Sequence, residues 1–256
     1  MKKLLLALLI GPLALILRLL PRRVRVNLFS EIIARAARGS DPAERLRLLF
    51  ELDNRLYNLQ GQAAVEYGGG IHSKHRHLKY HDFFIRHVHP GERLLDIGCG
   101  IGAMDYDLVT RVDNLKIVGI EIDPANIEYA RRHYIHPNLT FIHGDVLDGF
   151  SDGRFDVVTL SNVLEHIEDR VGLLRKACEQ LEPKRVIIRV PSFERDWRVP
   201  LKEEVGVDYR LDPTHYIEYT EEVFLEEMRQ AGLEKIHLET RWGEIWAVLE
   251  PKIRKD

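Results

Sequence analysis

The chain has few cysteines and no internal repeats, and both features limit the classes of protein to which it can belong. Two cysteines in 256 residues cannot form a disulfide framework, which excludes a small disulfide-stapled scaffold and indicates a reducing compartment. No internal repeat or low-complexity linker divides the sequence, and its length is sufficient to bury a sizeable core. We therefore expect one main domain that packing stabilises, with an appendage at its N-terminus.

Long hydrophobic runs are also scarce, and the longest one is short for a membrane span. It covers residues 4–17, with Gly11 and Pro12 inside it, whereas a spanning helix needs about 18 apolar residues or more. Spanning would require that Arg18 snorkel to the headgroups, so it stays open. The Arg-Leu-Leu-Pro-Arg-Arg sequence that follows offers no small-residue cleavage site, which disfavours a secretory signal.

Charge is unevenly distributed along the chain. Residues 1–40 contain eight Lys or Arg and a single acid, or +7, so the remainder carries −10 to reach the net charge of −3. Residues 24–37 have the pattern of an amphipathic helix that lies on an anionic membrane surface, although such a helix could also pack on the domain itself. The acidic remainder argues against a nucleic acid partner.

The most informative stretch, residues 94–102, reads Leu-Leu-Asp-Ile-Gly-Cys-Gly-Ile-Gly. Residues 93–97 form a buried parallel strand in this interpretation, and the three glycines allow a sharp turn that approaches a ligand closely. The following helix would point its N-terminus at that ligand. The spacing is GxGxG rather than the GxGxxG of dinucleotide sites, and the carboxylate of Asp96 would complement a sulfonium or ammonium group.

This nonapeptide resembles the first motif of the class I S-adenosylmethionine-dependent methyltransferases, among them small-molecule and quinone-biosynthesis O-methyltransferases. The resemblance covers about residues 80–250. It implies an α/β fold: a doubly wound, Rossmann-like, seven-stranded sheet with an antiparallel C-terminal strand and with the cofactor at the carboxyl ends of the strands.

Three regions follow from these patterns. Residues 1–40 are expected to form membrane-associating helices, residues 41–90 a helical lid with a His and basic cluster, and residues 91–256 the S-adenosylmethionine-binding domain. Within that domain, residues 192–218 are expected to form an insertion on the acceptor side. The helix that starts at Asp41 is expected to bury one stripe of leucines, namely Leu49, Leu52, Leu56 and Leu59.

The cofactor contacts are assigned partly by spacing and partly by resemblance. Glu121 ends a second strand about 20 residues past the glycine turn, at the distance where an acid accepts from ribose hydroxyls. Asp123 precedes Pro124 and is better explained as a helix N-cap. The resemblance implies that Asp145 accepts from the adenine amino group and that Val146 lies along the ring. The full predicted set is Asp96, Gly98, Cys99, Gly100, Gly102, Glu121, Ile122, Asp145, Val146 and Ser161.

The acceptor side is expected to follow the fourth strand. His166 is the candidate general base for a hydroxyl acceptor, since imidazole titrates near neutral pH; a histidine with no chemical part is the alternative. Lys74 and Arg76 belong to a basic cluster that suits an acceptor with a phosphate or carboxylate, although a solvated helix would look the same. Trp197, Tyr209 and His215 could line the acceptor pocket or simply pack on the surface.

A metal-assisted mechanism is the weaker alternative at this place. Metal-dependent quinone and small-RNA methyltransferases show Glu-x-x-Glu-His here, and the RNA enzymes add a later His. This chain has Glu165 and His166, with His215 as the possible later residue, but Asn162 replaces the first Glu. A neutral amide weakens a site for a hard cation, so no metal is expected.

Together these features predict S-adenosylmethionine-dependent methyl transfer, at oxygen, to a small or lipid-linked acceptor with a phosphate or carboxylate. Because S-adenosylmethionine is a cytosolic metabolite, the domain is expected at the cytoplasmic face of a membrane, and the basic flank of the apolar run agrees. A C- or N-methyltransferase for a soluble molecule and a noncatalytic scaffold that binds the cofactor are the alternatives.

Overall fold

The computed structural model describes residues 2–39, 41–150 and 153–252, with side chains from residue 10 onward. The remaining residues of the predicted N-terminal segment (1 and 40) and methyltransferase domain (151–152 and 253–256) lie outside the described residues. Two compact units are formed, residues 1–59 with 204–207 and residues 60–203 with 208–256. The predicted region boundaries at residues 40 and 90 stay predictions.

The elements alternate in the order expected of an α/β fold. The helices are α1 (Lys2–Arg18), α2 (Arg22–Ala36), α3 (Pro42–Tyr67), α4 (Lys74–Leu78), α5 (Tyr80–Arg86), α6 (Ala103–Arg111), α7 (Pro124–His133), α8 (Arg170–Leu181), α9 (Arg198–Glu204) and α10 (Glu221–Gln230). The strands are β1 (Arg93–Ile97), β2 (Lys116–Glu121), β3 (Leu139–His143), β4 (Val157–Ser161), β5 (Arg185–Pro191), β6 (Leu233–Arg241) and β7 (Glu244–Pro251).

The strands form one seven-stranded sheet in the order β3-β2-β1-β4-β5-β7-β6. The first five strands are parallel, and β7 pairs antiparallel with both β5 and β6. The strand order reverses between β1 and β4, where open α/β sheets bind ligands beyond the carboxyl ends of their strands. The predicted Rossmann-like sheet with an antiparallel C-terminus is therefore confirmed.

Apolar side chains cover both faces of the sheet, as the doubly wound architecture requires. On one face, α8 and α10 contribute Leu174 and Phe224 to a core with buried residues of β1, β4, β5 and β7. On the other face, Phe83 and Phe84 of α5 and Leu108 of α6 are completely buried. Because parallel strands are buried on both faces, their sequences read as continuous apolar runs.

The N-terminal helices expose more apolar surface than the sequence predicts. Asp41 caps α3 as expected, accepting hydrogen bonds from the amides at Ala43 and Glu44. The predicted buried leucine stripe is wrong, because Leu56 is 49% and Leu59 61% exposed. An apolar stripe indicates a face that can pack, but it does not identify a covering element. None of the described helices combines the length and apolar character that a membrane crossing requires.

Candidate functional site

The glycine turn joins β1 to α6 through three residues in the left-handed region. Gly98, Gly100 and Gly102 have φ of 71°, 54° and 79°, values that other residues adopt only with strain. The amides of Gly98 and Cys99 both donate to the Ile120 carbonyl, at 2.8 and 3.0 Å. The turn is therefore held against the end of β2, and α6 begins directly after it.

The surroundings of the three glycines differ, and this difference locates a ligand site. A Cβ on Gly98 would lie 2.4 Å from Cγ2 of Val163, and one on Gly102 would lie 2.4 Å from Cζ of Phe141. Those two glycines are required for packing. A Cβ on Gly100 would meet no atom within 4 Å, so the backbone of Gly100 faces open space that a ligand can approach.

Glu121 at the end of β2 fixes the turn from the other side. Its Oε2 accepts from the Gly100 amide and its Oε1 from the Asp123 amide, both at 2.9 Å. Each carboxylate oxygen keeps a further lone pair for another donor, such as a ribose hydroxyl. Asp123 caps α7 as predicted, since its Oδ1 accepts from the Ala125 amide at 2.8 Å and Pro124 occupies the first helical position.

A cavity of about 560 Å³ opens at the carboxyl ends of β1, β2 and β4, a volume typical of cofactor sites. Seven residues predicted for the site line it, namely Gly98, Gly100, Glu121, Ile122, Asp145, Val146 and His166. The sequence did not assign the lining residues Asn162 and Val163. The open space over Gly100 and the adjacent carboxylate of Glu121 fit the ribose end of S-adenosylmethionine.

Four residues of the predicted cofactor set do not line this cavity, namely Asp96, Cys99, Gly102 and Ser161. Asp96 is buried, and its Oδ1 accepts a hydrogen bond from Thr159 at 2.5 Å. Burial raises the pKa of Asp96, so its carboxylate is an unfavourable anion. Burial also raises the pKa of the Cys99 thiol, which suits a packing residue rather than a nucleophile.

His166 is oriented by a hydrogen-bonded chain from the insertion. Thr214 donates its single hydroxyl proton to Asp212 Oδ1 at 2.6 Å, so its oxygen must accept from His166 Nδ1, which lies 2.9 Å away. The proton of the neutral imidazole is thereby placed on Nδ1, and Nε2 carries the lone pair. Burial and the neighbouring His215 lower the pKa of His166, which keeps the ring neutral and basic at pH 7.

The three residues considered for a metal site are close together. One ligand atom each of Glu165, His166 and His215 lies within 4.8 Å of the others. Glu165 is fully buried, neither carboxyl oxygen has a hydrogen-bond partner among the described residues, and burial raises its pKa to about 7. Asn162 Oδ1, in the position of the missing first Glu, accepts from Arg189 Nε at 3.3 Å.

The other predicted acceptor residues have different environments. Lys74 is half-buried, and burial lowers its pKa. Arg76 is exposed, with its guanidinium carbon 5.4 Å from the centroid of the Tyr67 ring. Trp197 is 72% exposed, and Tyr209 makes an edge contact with Phe193. Their roles as acceptor contacts remain predictions.

Arg189 is a site residue that the sequence interpretation missed. It lies on β5 between Ile188 and Val190 and is only 3% exposed. Its guanidinium carbon lies 4.0 Å from the centroid of the Tyr80 ring, and its Nε lies 3.6 Å from Oε2 of Glu244. The available signal was an arginine within an apolar strand, close to the strand's carboxyl end.

Comparison with known proteins gives a consistent result. A protein-family model described as a methyltransferase domain matches residues 45–238. The chain is 25% identical over 169 residues to phosphoethanolamine N-methyltransferase 3 of Arabidopsis thaliana, covering 64% of this chain and 33% of that protein. It is 32% identical over 121 residues to a ubiquinone biosynthesis O-methyltransferase of Rhodopseudomonas palustris, covering 46% of this chain and 47% of that protein. The chain thus spans less than half the length of either curated relative.

A solved structure supports the same fold. Magnesium protoporphyrin IX methyltransferase of Synechocystis, determined with bound S-adenosylhomocysteine, superposes with a TM-score of 0.52 at 14% identity. The match covers 88% of this chain and 95% of that one. At this identity the likeness shows the architecture alone.

Proposed function

The chain belongs to the methyltransferase domain family, of the class I S-adenosylmethionine-dependent kind, and on that premise we propose that it methylates oxygen of an anionic acceptor. The acceptor is a small or lipid-linked molecule that bears a phosphate or carboxylate. The reaction takes place at the cytoplasmic surface of a membrane. The observation that carries the proposal is the orientation of His166, whose basic Nε2 belongs to a ring that lines the cofactor cavity.

S-adenosylmethionine, when bound, supplies a methyl group on a sulfonium leaving group, so much of the acceleration comes from placement. Gly100 leaves room for it, while Glu121 and Asp145 provide hydrogen-bond acceptors. His166 Nε2 takes the acceptor's hydroxyl proton as the acceptor oxygen gains the methyl group. Thr214 and Asp212 hold the ring in the tautomer that this transfer requires.

The relatives support an acceptor with a charged group and leave the methylated atom to experiment. One relative is named for phosphoethanolamine, which carries a phosphate, and another for O-methylation in ubiquinone biosynthesis. A neutral histidine beside the cavity favours oxygen, because a hydroxyl must lose its proton and a free amine need not.

The membrane part of the proposal rests on the N-terminal unit. Helix α2 has no buried residue, and its exposed apolar side chains include Val26, Phe29 and Ile32. Arg22, Arg23, Arg25, Arg35 and Arg38 lie on or next to the same helix. Exposed apolar groups with clustered arginines suit the interface of an anionic bilayer.

The test is methyl transfer from labelled S-adenosylmethionine to an extract of host membranes, with the full chain and a His166→Gln variant. Label in the organic phase that depends on His166 supports a lipid-linked acceptor, and label in water supports a soluble acceptor with the N-terminus as a tether. Transfer that does not depend on His166 contradicts the general-base role. No transfer by a protein that still binds the cofactor contradicts the enzymatic proposal for these acceptors.

A further inference from the structure

Arg189 is a buried cation whose hydrogen-bonding capacity is only partly used. Its Nε donates to Asn162 Oδ1 at 3.3 Å, and the face of its guanidinium rests on Tyr80. Its Nη1 is buried and has no hydrogen-bond partner among the residues that the structure describes. A buried guanidinium nitrogen without an acceptor is costly, since the desolvation of a charged group is not recovered.

A second cation lies in the same environment. Lys74 of α4 precedes His75, whose ring centroid lies 5.2 Å from that of Tyr80, the ring beneath the Arg189 guanidinium. Burial lowers the pKa of the Lys74 ammonium, Glu244 raises it, and Arg189 lowers it. Glu244 also accepts from Trp246 Nε1 at 3.1 Å, so its charge is shared among several donors. Glu165 lies within the field of Arg189 as well, but burial raises its pKa to about 7, so it balances the cations only in part.

The position of this cation pair connects it to the cofactor cavity. Arg189 pairs with Ser161 in the register of β4 and β5, one residue before Asn162, which lines the cavity. A group held at Arg189 is therefore adjacent to the end of the cavity where His166 lies. Lys74 and Tyr80 come from α4 and α5, which follow one another in the segment before β1.

We propose that Arg189 and Lys74 together bind the anionic group of the methyl acceptor, a carboxylate or a phosphate, an assignment that rests on the proposed function. The anion accepts from Arg189 Nη1 and from the Lys74 ammonium, and Glu244 and Tyr80 hold the guanidinium in place. Because Nη1 is buried in this conformation, anion binding requires a local rearrangement of the side chains around it. Arg76, which is exposed and lies over the Tyr67 ring, is not part of the proposed pair.

The direct test is anion binding to the full chain saturated with S-adenosylhomocysteine. Inorganic phosphate and acetate serve as separate probes, with chloride at matched ionic strength as the reference, and the melting temperature reports binding. Lys74→Met removes one cation. The double variant Arg189→Met/Glu244→Gln removes the Arg189 cation without leaving the buried Glu244 carboxylate unpaired. The single variant Glu244→Gln is the control for the change at Glu244. Lys184→Met is the matched surface control, since Lys184 pairs with Asp156 beside the start of β5.

One probe should stabilise the wild-type chain and Lys184→Met beyond the effect of chloride. Lys74→Met and the Arg189 double variant should need about tenfold more of that probe, the loss expected when a charge-assisted hydrogen bond is removed. Preference for phosphate or for acetate then identifies the chemistry of the acceptor's anion. Equal stabilisation of the wild type and both site variants, or no stabilisation beyond chloride, would overturn the assignment.

Binding of these probes does not depend on turnover, so the two proposals can fail separately. If removal of Lys74 or Arg189 weakens anion binding but no acceptor is methylated, the anion site is supported and the proposed reaction is contradicted. If methylation occurs and Lys74→Met leaves the acceptor's KM unchanged, the proposed reaction is supported and the anion site is contradicted. We expect Lys74→Met to raise that KM about tenfold at unchanged cofactor affinity, and Arg76→Ala to leave it unchanged.

Discussion

At the scale of single residues, the glycine turn rests on two buried carboxyl groups. Asp96 is 2% exposed, and Asp105 of α6 is completely buried. Asp105 Oδ2 lies so close to β2 that a Cβ on Gly119 would be 2.6 Å away. Burial raises the pKa of both acids, and the charge of Asp96 adds to the rise at Asp105. The pair therefore retains a proton at pH values where an exposed aspartate is ionised.

The pair makes stability depend on pH in a predictable direction. An acid whose pKa is higher in the folded chain than in the unfolded chain contributes stability at low pH and loses it as pH rises through the folded pKa. We therefore expect Asp105→Asn to gain stability over the wild type as the pH rises above the ordinary pKa of an aspartic acid, about 4. Denaturant unfolding at pH 5 and pH 7.5 measures this change.

The difference in stability between the wild type and Asp105→Asn at each pH excludes the contribution of histidine titration, because both proteins contain the same histidines. Asp113→Asn, at an exposed position just after the helix that carries Asp105, is the control and should show no such trend. A difference between Asp105→Asn and the wild type that is the same at both pH values would contradict the buried-pair account.

Single residues were predictable where local spacing dictates their chemistry. The position of Asp123 follows from its distance to Pro124, and the structure gives it the expected helix-cap hydrogen bond. Glu121 lines the cavity and accepts from the Gly100 amide, and its contact with the ribose stays a prediction. Arg189 was not predictable in this way. Its contacts are Asn162, Tyr80 and Glu244, which come from three separate segments and meet only through the fold.

At the scale of elements, the loop after β4 contributes side chains that suit either general-base catalysis or metal binding. Glu165, His166 and His215 lie together, yet Asn162 is engaged with Arg189. A hard cation prefers several carboxylate oxygens, and the single carboxyl here has a pKa near 7. We therefore expect methyl transfer to survive complete chelation with less than about a twofold loss, since a metal ligand that is half protonated binds weakly.

Activity before and after treatment with EDTA is the measurement for this expectation. Dialysis against metal-free buffer without EDTA controls for loss of the protein itself. A collapse of activity that Mg²⁺ or Mn²⁺ restores would assign the three residues to a metal and contradict the expectation.

The boundaries of the helices and strands were largely predictable from the sequence, whereas the elements that each one packs against were less predictable. Most of the strands coincide with an apolar run that ends at turn residues, which is why the pattern located them. The exception is β6, which is largely polar and exposed. The place of β7 between β5 and β6 was beyond the pattern, because a terminal antiparallel pair can join a sheet by either strand. The exposed leucines of α3 show the same limit, since periodicity predicts an apolar face without identifying what covers it.

At the scale of the whole molecule, the basic N-terminal unit predicts binding to anionic bilayers. Each arginine near such a surface contributes about 1 kcal/mol. Replacing Arg22, Arg23 and Arg25 by Gln should therefore weaken binding to phosphatidylserine-containing vesicles by about 100-fold. Co-sedimentation of the full chain with vesicles at two salt concentrations measures this.

The matched control removes three exposed arginines from the other unit, Arg132, Arg154 and Arg229. It should bind vesicles as the wild type does. Equal losses in the two triple variants would show that net charge, rather than the N-terminal unit, determines binding.

The central claim for the whole molecule is that the cavity beside the glycine turn holds the methyl donor, and Gly100→Ala tests it most directly. Gly100 and Gly232 both have positive φ and open space at the Cβ position, so Ala costs each about 1 kcal/mol of backbone strain. Only Gly100 lines the cavity. Calorimetric titration with S-adenosylhomocysteine should show wild-type affinity in Gly232→Ala and a loss of at least about tenfold in a folded Gly100→Ala. Unchanged affinity in Gly100→Ala would contradict the placement of the cofactor.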